Sequence, residues 1–173
     1  MSKTIITIFG TGRAGPGDEI FTRAYETGRL LARAGFAIAN GGYGGTMLAA
    51  AKGAAEAGGE VIGVTCSAFK SSKANEYITR EILTHSLDER LEKLVELGRA
   101  YVVLPGGTGT LLELAKVWEL KNKGFLDADR PIILVGRFWT SLVDLVATDD
   151  PDSSRYVELT DDPEGIVEMI GDL

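Results

Sequence analysis

The sequence predicts an α/β fold in which helices cover both faces of a parallel β-sheet. Short apolar runs rich in β-branched residues, such as 4–9, alternate along the chain with longer stretches whose apolar residues recur at helical spacing, such as 19–34. Glycine-rich turns join several of the runs to the helix that follows. This regular alternation of strand and helix is typical of a parallel sheet with crossover helices.

Each element has its own signal in the sequence. The run 4–9 is almost wholly apolar, as expected for a buried parallel strand. Asp18 can cap the helix 19–34, and Gly35 can end it. Further apolar runs predict strands at 36–39, 61–64, 81–84, 100–104, 130–135 and 157–159. Alanine-rich or amphipathic stretches predict helices at 46–57, 86–97, from the turn at 105–110 to about 123, 138–146 and 163–170. The polar stretch 67–75 is predicted as a loop.

Length and composition limit the classes of protein that the chain can represent. Its 173 residues predict a single domain, residues 1–173. The formal net charge of −7 argues against a nucleic-acid partner, and no apolar stretch is long enough to span a membrane. Ser2 and Lys3 lead straight into the first strand, so we expect no signal peptide and a cytoplasmic location.

The chain holds one cysteine and one histidine, and both have a structural interpretation. Cys66 alone cannot form an internal disulfide or a cysteine-based metal cluster, and His85 alone cannot form a multi-histidine site. A buried core thiol and a structural histidine are the favoured interpretations. We therefore expect no metal and no cofactor.

The most informative stretch is the turn 105–110, with the sequence PGGTGT. It connects the strand 100–104 directly to a helix, and its glycines allow the backbone to approach a ligand closely. Free amides and the positive end of the helix dipole favour an anion there. We predict that Gly106, Gly107, Thr108, Gly109 and Thr110 bind a phosphoryl group. Glu113 follows within the first turns of the helix, where its carboxylate can face the bound ligand.

Two further glycine-rich turns follow the first and second strands. The first, 10–15, matches the pattern GxGxxG, but the second strand ends in Ala39 and Asn40 instead of the acid that holds a ribose diol, so NAD is disfavoured. The second turn has four glycines in the five positions 41–45, more than a plain turn needs. Both turns meet the carboxyl edge of the sheet, where such folds bind ligands. The predicted nucleotide-binding residues in these turns are Gly10, Thr11, Gly41, Gly42, Gly44, Gly45 and Thr46.

Arg90 has two interpretations. It lies on the predicted helix 86–97, and most arginines on helices are solvated and paired with a nearby acid such as Glu113. The helical pattern also places Arg90 beside Leu87, Leu91 and Leu94, at the border of the apolar face. That position suits a half-buried arginine whose partner is a phosphate or a carboxylate.

The motif from Pro105 to Glu113 resembles the PGGxGTxxE signature of the LONELY GUY (LOG) family, whose members are often labelled "possible lysine decarboxylase". The segment 41–47 is similar to the upstream glycine-rich segment of that family. The segment 86–94 is similar to its arginine-bearing helix, with Arg90 at the arginine position. The order and spacing of the three segments agree, and the resemblance extends over residues 4–146.

The resemblance implies a Rossmann-like doubly wound parallel sheet and a homodimer or a higher homo-oligomer. It also implies phosphoribohydrolase activity on a nucleoside 5′-monophosphate such as AMP, with release of the free base and ribose 5-phosphate. Its catalytic pair corresponds to Glu113 and Arg90, and its phosphate loop corresponds to 106–110. Cleavage of an N-glycosidic bond passes through an oxocarbenium-like sugar. A nearby carboxylate can stabilise the positive charge of this sugar or orient the attacking water.

The chain departs from the family pattern at three positions. Leu91 replaces the lysine that usually follows the arginine, Leu112 replaces an acid that often precedes the glutamate, and Tyr43 replaces a glycine. These departures fit a divergent branch of the family. They equally fit the similar molybdenum cofactor carrier proteins, which bind a phosphorylated pterin without converting it. The alternative function is therefore a non-catalytic nucleotide or cofactor carrier. Lysine decarboxylation is disfavoured, since nothing resembles a pyridoxal-phosphate lysine motif.

Overall fold

The computed structural model describes residues 3–70, 73–171 and 173, and its strands form one parallel sheet. The strands are β1 (Ile5–Phe9), β2 (Ala37–Asn40), β3 (Val61–Cys66), β4 (Arg80–Thr84), β5 (Ala100–Val103), β6 (Ile132–Val135) and β7 (Glu158–Thr160). The helices are α1 (Glu19–Arg33), α2 (Thr46–Glu56), α3 (Leu87–Leu97), α4 (Thr108–Asn122), α5 (Thr140–Ala147) and α6 (Pro163–Ile170), and a 3₁₀ turn covers Ser153–Tyr156.

The strand order β4-β3-β2-β1-β5-β6-β7 confirms the predicted doubly wound α/β fold. The chain builds outwards from β1 in one direction, then crosses back and continues from β5 in the other. The order therefore reverses between β1 and β5, and ligands bind in such sheets at the carboxyl end of that switch point. The turns after β1 and β5 flank it directly.

The strands are buried on both faces because two separate cores cover them. One core joins β1, β2 and β5 side chains such as Ile6, Ile38 and Val102 to α1, α2 and α6. The other joins alternate side chains, such as Tyr101 and Val103, to α3, α4 and α5. Because successive residues of a strand point to opposite faces, the near-continuous apolar runs of the sequence fill both cores.

Helices α1 and α2 pack closely because each presents a glycine to the other. A Cβ atom on Gly28 would lie 2.0 Å from the carbonyl oxygen of Ala50, and one on Gly53 would lie 2.0 Å from that of Tyr25. Both distances are far below van der Waals contact, so no side chain fits at either position.

The observed elements begin and end within a few residues of the predicted bounds, with identifiable reasons for the differences. Asp18 occupies the N-cap position of α1, but its Oδ2 accepts a 2.7 Å hydrogen bond from the amide of Gly15 and none from the helix. Its carboxylate therefore closes the turn before the helix. Strand β3 continues to Cys66 because it pairs with β4 from Ile62 opposite Arg80 to Cys66 opposite Thr84. Of the predicted loop 67–75, residues 71 and 72 lie outside the described residues.

No helix within residues 3–70 and 73–171 combines the length and the apolar character that crossing a lipid bilayer requires.

Candidate functional site

A cavity of about 990 Å³ opens at the carboxyl edge of the sheet, at the switch point between β1 and β5. The turns after β1 and β5 and the first residues of α4 form one part of its wall. Arg90 and Leu87 of α3 and several aromatic side chains form the rest. The lining residues are Gly10, Thr11, Gly12, Arg13, Tyr43, Met47, Phe69, Leu87, Arg90, Pro105, Gly106, Gly107, Thr108, Gly109, Thr110, Glu113 and Phe138.

The cavity brings together most, but not all, of the residues selected from the sequence. Glu113, Arg90, the turn 106–110, Gly10 and Thr11 line it. The five selected residues of the second glycine-rich turn are not part of this lining; they are Gly41, Gly42, Gly44, Gly45 and Thr46. That turn contributes Tyr43 and Met47 instead. Its glycines shape the backbone behind the cavity wall, and their contact with a ligand stays a prediction.

The turn 106–110 leaves its amides free. The first hydrogen bond of α4 runs from the amide of Leu111 to the carbonyl of Gly107, and no described residue accepts a hydrogen bond from the amides of 106–110. Gly106 is required here, because a Cβ atom would lie 2.1 Å from Oγ1 of Thr110. Unpaired amides at the positive end of a 15-residue helix, beside a cavity, have the arrangement that anions prefer.

Thr11 joins the three glycine-rich turns. Its amide donates to the carbonyl of Pro105 at 3.1 Å, and its carbonyl accepts from the amide and Oγ1 of Thr46 at 2.8 Å and 2.9 Å. Gly45 permits this contact: it has φ of +65°, and a Cβ atom there would lie 2.3 Å from the carbonyl oxygen of Thr11. The glycines thus allow three backbones to meet.

Asn40, at the end of β2, is committed to the second glycine-rich turn. Its Oδ1 accepts from the amide of Gly42 at 2.8 Å, and its Nδ2 donates to the carbonyl of Met47 at 3.1 Å. Dinucleotide-binding folds hold a ribose diol at this position. The side chain of Asn40 is fully buried here and is hydrogen-bonded to backbone groups. This arrangement agrees with the sequence argument against NAD.

Arg90 is buried, which decides between its two interpretations. Nε donates to the carbonyl of Val64 at 2.8 Å, and Nη2 donates to the carbonyl of Gly41 at 3.1 Å. Nη1 lies 4.0 Å from Oε1 of Glu113. A Cβ atom on Gly41 would lie 1.8 Å from Nη2, so this glycine makes room for the guanidinium. Arg90 is therefore a fixed cation in the cavity wall rather than a solvated surface residue.

Glu113 is largely buried, with 16% of its side chain exposed. Burial raises the pKa of its carboxyl group to about 7, and the nearby charge of Arg90 opposes this increase only in part. A carboxyl group with such a pKa exchanges protons readily near neutral pH, which suits general acid–base chemistry.

Three aromatic side chains that line the cavity, Tyr43, Phe69 and Phe138, were not among the residues predicted from the sequence, and the first two contact Arg90. The ring centroids of Tyr43 and Phe69 each lie 5.5 Å from Cζ of Arg90, and the two rings are 5.9 Å apart. Tyr43 had a signal, since it interrupts a run of glycines. Phe69 lies in the polar stretch after β3, where no periodicity marks it.

The single histidine and the single cysteine do not line the cavity. His85 is exposed, with Nδ1 3.3 Å from Oγ of Ser67, and Cys66 is buried at the end of β3. Cys66 is thus the buried thiol that the sequence predicts, whereas the structural role of His85 stays a prediction.

The sheet, its switch-point cavity and the three joined turns define a Rossmann-like α/β protein. A family model described as "Possible lysine decarboxylase" matches residues 47–170, and the chain belongs to this family, which is the LOG family that the motifs indicated.

The relatives include an enzyme and two binding proteins. The chain is 30% identical over 133 residues to the cytokinin riboside 5′-monophosphate phosphoribohydrolase of Rhodococcoides fascians; the match covers 75% of this chain and 66% of the enzyme, just under two thirds of its length. The molybdenum cofactor binding protein of the phototrophic bacterium Rippkaea orientalis superposes with a TM-score of 0.79 at 29% identity, covering 98% of this chain and 96% of that one. The molybdenum cofactor carrier protein of Chlamydomonas reinhardtii gives a TM-score of 0.75 at 26% identity, covering 97% and 96%.

Proposed function

We propose that the protein hydrolyses the N-glycosidic bond of a nucleoside 5′-monophosphate. The observation that carries this proposal is the position of Glu113: a buried carboxyl group with a pKa of about 7, between a fixed arginine and a turn of unpaired amides, in one cavity. The relative from Rhodococcoides fascians, named as a phosphoribohydrolase, supports the same reaction.

The 5′-phosphate binds to the amides of 106–110, and the ribose lies over the start of α4. Glu113 is about one helical turn from this phosphate, close to the anomeric carbon. The bond between that carbon and the base nitrogen breaks, and a water oxygen bonds to the carbon. The water supplies one proton to the departing base and retains the other as the new hydroxyl group. Glu113 as carboxylate stabilises the positive sugar or orients the water.

The charge of Arg90 lowers the pKa of Glu113 and so keeps part of its population ionised. Two of its nitrogens are occupied by backbone carbonyls, so Nη1 is the part of the guanidinium that meets Glu113 and the cavity. Phosphate binding, remote from the bond that breaks, contributes by fixing the ribose in a reactive position.

Incubation of the protein with AMP and other nucleoside monophosphates, with chromatographic detection of the released base, tests the proposal. We expect base and ribose 5-phosphate in equal amounts from the wild-type protein. The Glu113→Gln variant is expected to lose turnover and to retain nucleotide binding by calorimetry. Glu119→Gln, a change on an exposed residue of the same helix, is the matched control and is expected to leave turnover unchanged. Full turnover in Glu113→Gln would remove this residue from the mechanism.

A second candidate function is a non-catalytic carrier of a nucleotide or a phosphorylated cofactor. The similarity to molybdenum cofactor binding and carrier proteins over nearly the whole chain favours it. Under this alternative the same amides hold the phosphate, and Glu113 only hydrogen-bonds the ligand. Nucleotide binding without any base release would support the carrier.

Lysine decarboxylation receives no support from the site, despite the description of the family. Neither Lys116 nor Lys121 lines the cavity. Nζ of Lys121 donates to the carbonyl of Arg130 at 2.7 Å. Carbon dioxide release from lysine with pyridoxal phosphate would contradict this conclusion.

We further propose that the chain acts as one domain, in a homodimer, in the cytoplasm, as the family resemblance implies. Light scattering coupled to size-exclusion chromatography is expected to give twice the mass of 18.5 kDa. A mass of 18.5 kDa would contradict the homodimer.

A further inference from the structure

The end of the cavity near Arg90 is built from aromatic and apolar side chains. Tyr43 and Phe69 lie against the guanidinium, and Met47 and Leu87 line the cavity nearby. Met47 lies close to Arg90, since both side chains approach Gly41. A Cβ atom on Gly41 would lie 2.6 Å from the sulfur of Met47. Phe69 is 37% exposed, and its ring therefore has surface available for a ligand.

Tyr43 is fixed in position by hydrogen bonds. Its hydroxyl accepts from the amide of Cys66 at 2.8 Å and lies 3.3 Å from the carbonyl of the same residue, to which it donates. The backbone of the tyrosine is held as well, because Nδ2 of Asn75 donates to its carbonyl at 2.9 Å. The ring is therefore a rigid surface, and its polar atom is already paired.

Several other polar groups of the described residues around this end are also paired. The carbonyls of Gly41 and Val64 accept from Arg90. The amide of Asn75 donates to the carbonyl of Gly42, and its Oδ1 accepts from the amide of Tyr77. Flat apolar surface is thus the main feature that this end offers to a ligand.

The order of groups along the cavity matches the order of groups in a nucleotide. Glu113 lies about one helical turn from the free amides, its Oε1 lies 4.0 Å from Nη1 of Arg90, and the two rings lie against Arg90, so these contacts link the groups in that sequence. A ligand whose phosphate is at the amides and whose reacting carbon is at Glu113 therefore extends its base towards the rings.

We propose that Tyr43 and Phe69 form the base subsite, and that they recognise a planar heterocycle by stacking rather than by hydrogen bonds to its edge. This inference rests on the proposed binding of a nucleotide and adds the class of base. Every purine presents the same flat face, so the protein is expected to accept adenine and guanine nucleotides about equally, within about tenfold.

Calorimetric titration of the Glu113→Gln protein with AMP, GMP and ribose 5-phosphate tests the subsite, since this variant does not consume its ligand. Adding Phe69→Leu is expected to weaken AMP and GMP binding by at least about fivefold, the lower end of what one base–aromatic stack contributes. Ribose 5-phosphate, which has no base, is expected to bind as before. Phe125→Leu is the matched control, because Phe125 is 77% exposed and does not line the cavity.

A second pair of variants separates stacking from structural damage. Tyr43→Phe keeps the ring and removes only the hydroxyl, whereas Tyr43→Leu removes the ring. Stacking predicts that Tyr43→Phe binds AMP within about threefold of the parent and that Tyr43→Leu loses at least about fivefold. Proton NMR adds a direct signature, since the base protons of bound AMP are expected to shift upfield through the ring currents and to lose part of that shift in Phe69→Leu.

The outcomes distinguish this subsite from the proposed hydrolysis. Unchanged AMP affinity in Phe69→Leu, an equal loss for ribose 5-phosphate, or a preference above about tenfold for one purine would overturn the stacking subsite even if base release continues. Conversely, loss of AMP affinity in Phe69→Leu with no base release from the wild type would support the subsite and remove the hydrolase. A wild-type protein that binds no nucleotide would overturn both.

Discussion

Nη1 of Arg90 lies 4.0 Å from Oε1 of Glu113, while Nε and Nη2 of the same guanidinium donate to the carbonyls of Val64 and Gly41. The arginine is thus anchored by the carbonyl of a β3 residue and by the carbonyl of the first residue after β2. The charge of Arg90 consequently acts on Glu113 from a fixed position, and its effect on the pKa of Glu113 can be measured.

The first prediction concerns the pH dependence of hydrolysis. In the proposed mechanism Glu113 acts as a carboxylate, so kcat/KM for AMP is expected to rise with pH and to level off above an apparent pKa of about 7. Since Arg90 lowers the pKa of Glu113, Arg90→Met is expected to move the rise to higher pH. Arg99→Met, at an exposed ion pair with Asp129, is the control and is expected to leave the profile in place.

The phosphate of AMP also titrates near pH 6 and requires a separate measurement. AMP binding to Glu113→Gln across the same pH range reports the phosphate alone. A rate profile identical to that binding profile, or an Arg90→Met profile displaced to lower pH, would contradict the assignment.

The second prediction concerns stability. The pKa of Glu113 is about 7 in the folded protein and 4.5 in the unfolded reference. The folded state therefore holds a proton that the unfolded state has released between these values, and the free energy of unfolding falls as pH rises through this window. Removing the ionisable group in Glu113→Gln is expected to raise that free energy at pH 8 by up to about 3 kcal/mol, with little gain at pH 4.5.

Urea denaturation at both pH values measures the effect. Glu119→Gln is the control, because Glu119 is exposed and its loss is expected to change stability by less than about 1 kcal/mol at either pH. A Glu113→Gln variant that is less stable than the wild type at pH 8 would show that the carboxylate is well paired in the folded state.

The third prediction concerns the packing of α1 on α2. Gly28→Ala is expected to destabilise the protein by about 2 kcal/mol or more, because its Cβ atom would lie 2.0 Å from a backbone oxygen that cannot rotate away. Gly109→Ala in the first turn of α4 is the matched control, since nothing lies within 4 Å of its Cβ position. Thermal unfolding of the two variants is expected to differ clearly; equal midpoints would indicate that the helices separate at little cost.

The fourth prediction concerns the contact between Thr46 and Thr11. Thr46→Val removes the 2.9 Å hydrogen bond from Oγ1 to the carbonyl of Thr11. The hydrogen bond from the backbone amide of residue 46 to the same carbonyl remains. We expect a loss of about 1 kcal/mol in stability and weaker binding of ribose 5-phosphate, because the turns lose part of their connection. Thr148→Val removes a similar but exposed hydroxyl–carbonyl bond and is expected to leave binding unchanged. Equal ribose 5-phosphate affinity in the two variants would contradict this role.

Much of the fold could be predicted because its signals are local. Apolar runs such as 61–64 mark buried strands wherever they occur, and glycine-rich turns mark the ends of strands that deliver them to one edge of the sheet. The proximity of Glu113 to the turn 105–110 follows from one helical turn. These inferences need no knowledge of distant parts of the chain.

The partners of Arg90 required the folded structure. Its acceptors Val64 and Gly41 are 26 and 49 residues away in sequence, and both are backbone atoms that any residue carries. Phe69 likewise contacts Arg90 only because β2 and β3 are neighbours in the sheet, which brings the segments that follow them close together. The sequence predicts that Asp18 caps α1, but a carboxylate at an N-cap can equally close the turn before the helix, and local sequence does not decide between the two.

The bonds that radiate from Thr11 have a consequence for how a ligand is received. Hydrogen bonds of Thr11 connect the backbone segments that follow β1, β2 and β5. These segments are therefore already ordered, and ordering them would cost little conformational entropy when a ligand binds. If ligands of different size bind here, we expect the exposed side chains of the cavity wall, such as Phe69 and Phe138, to adjust rather than the backbone of the turns.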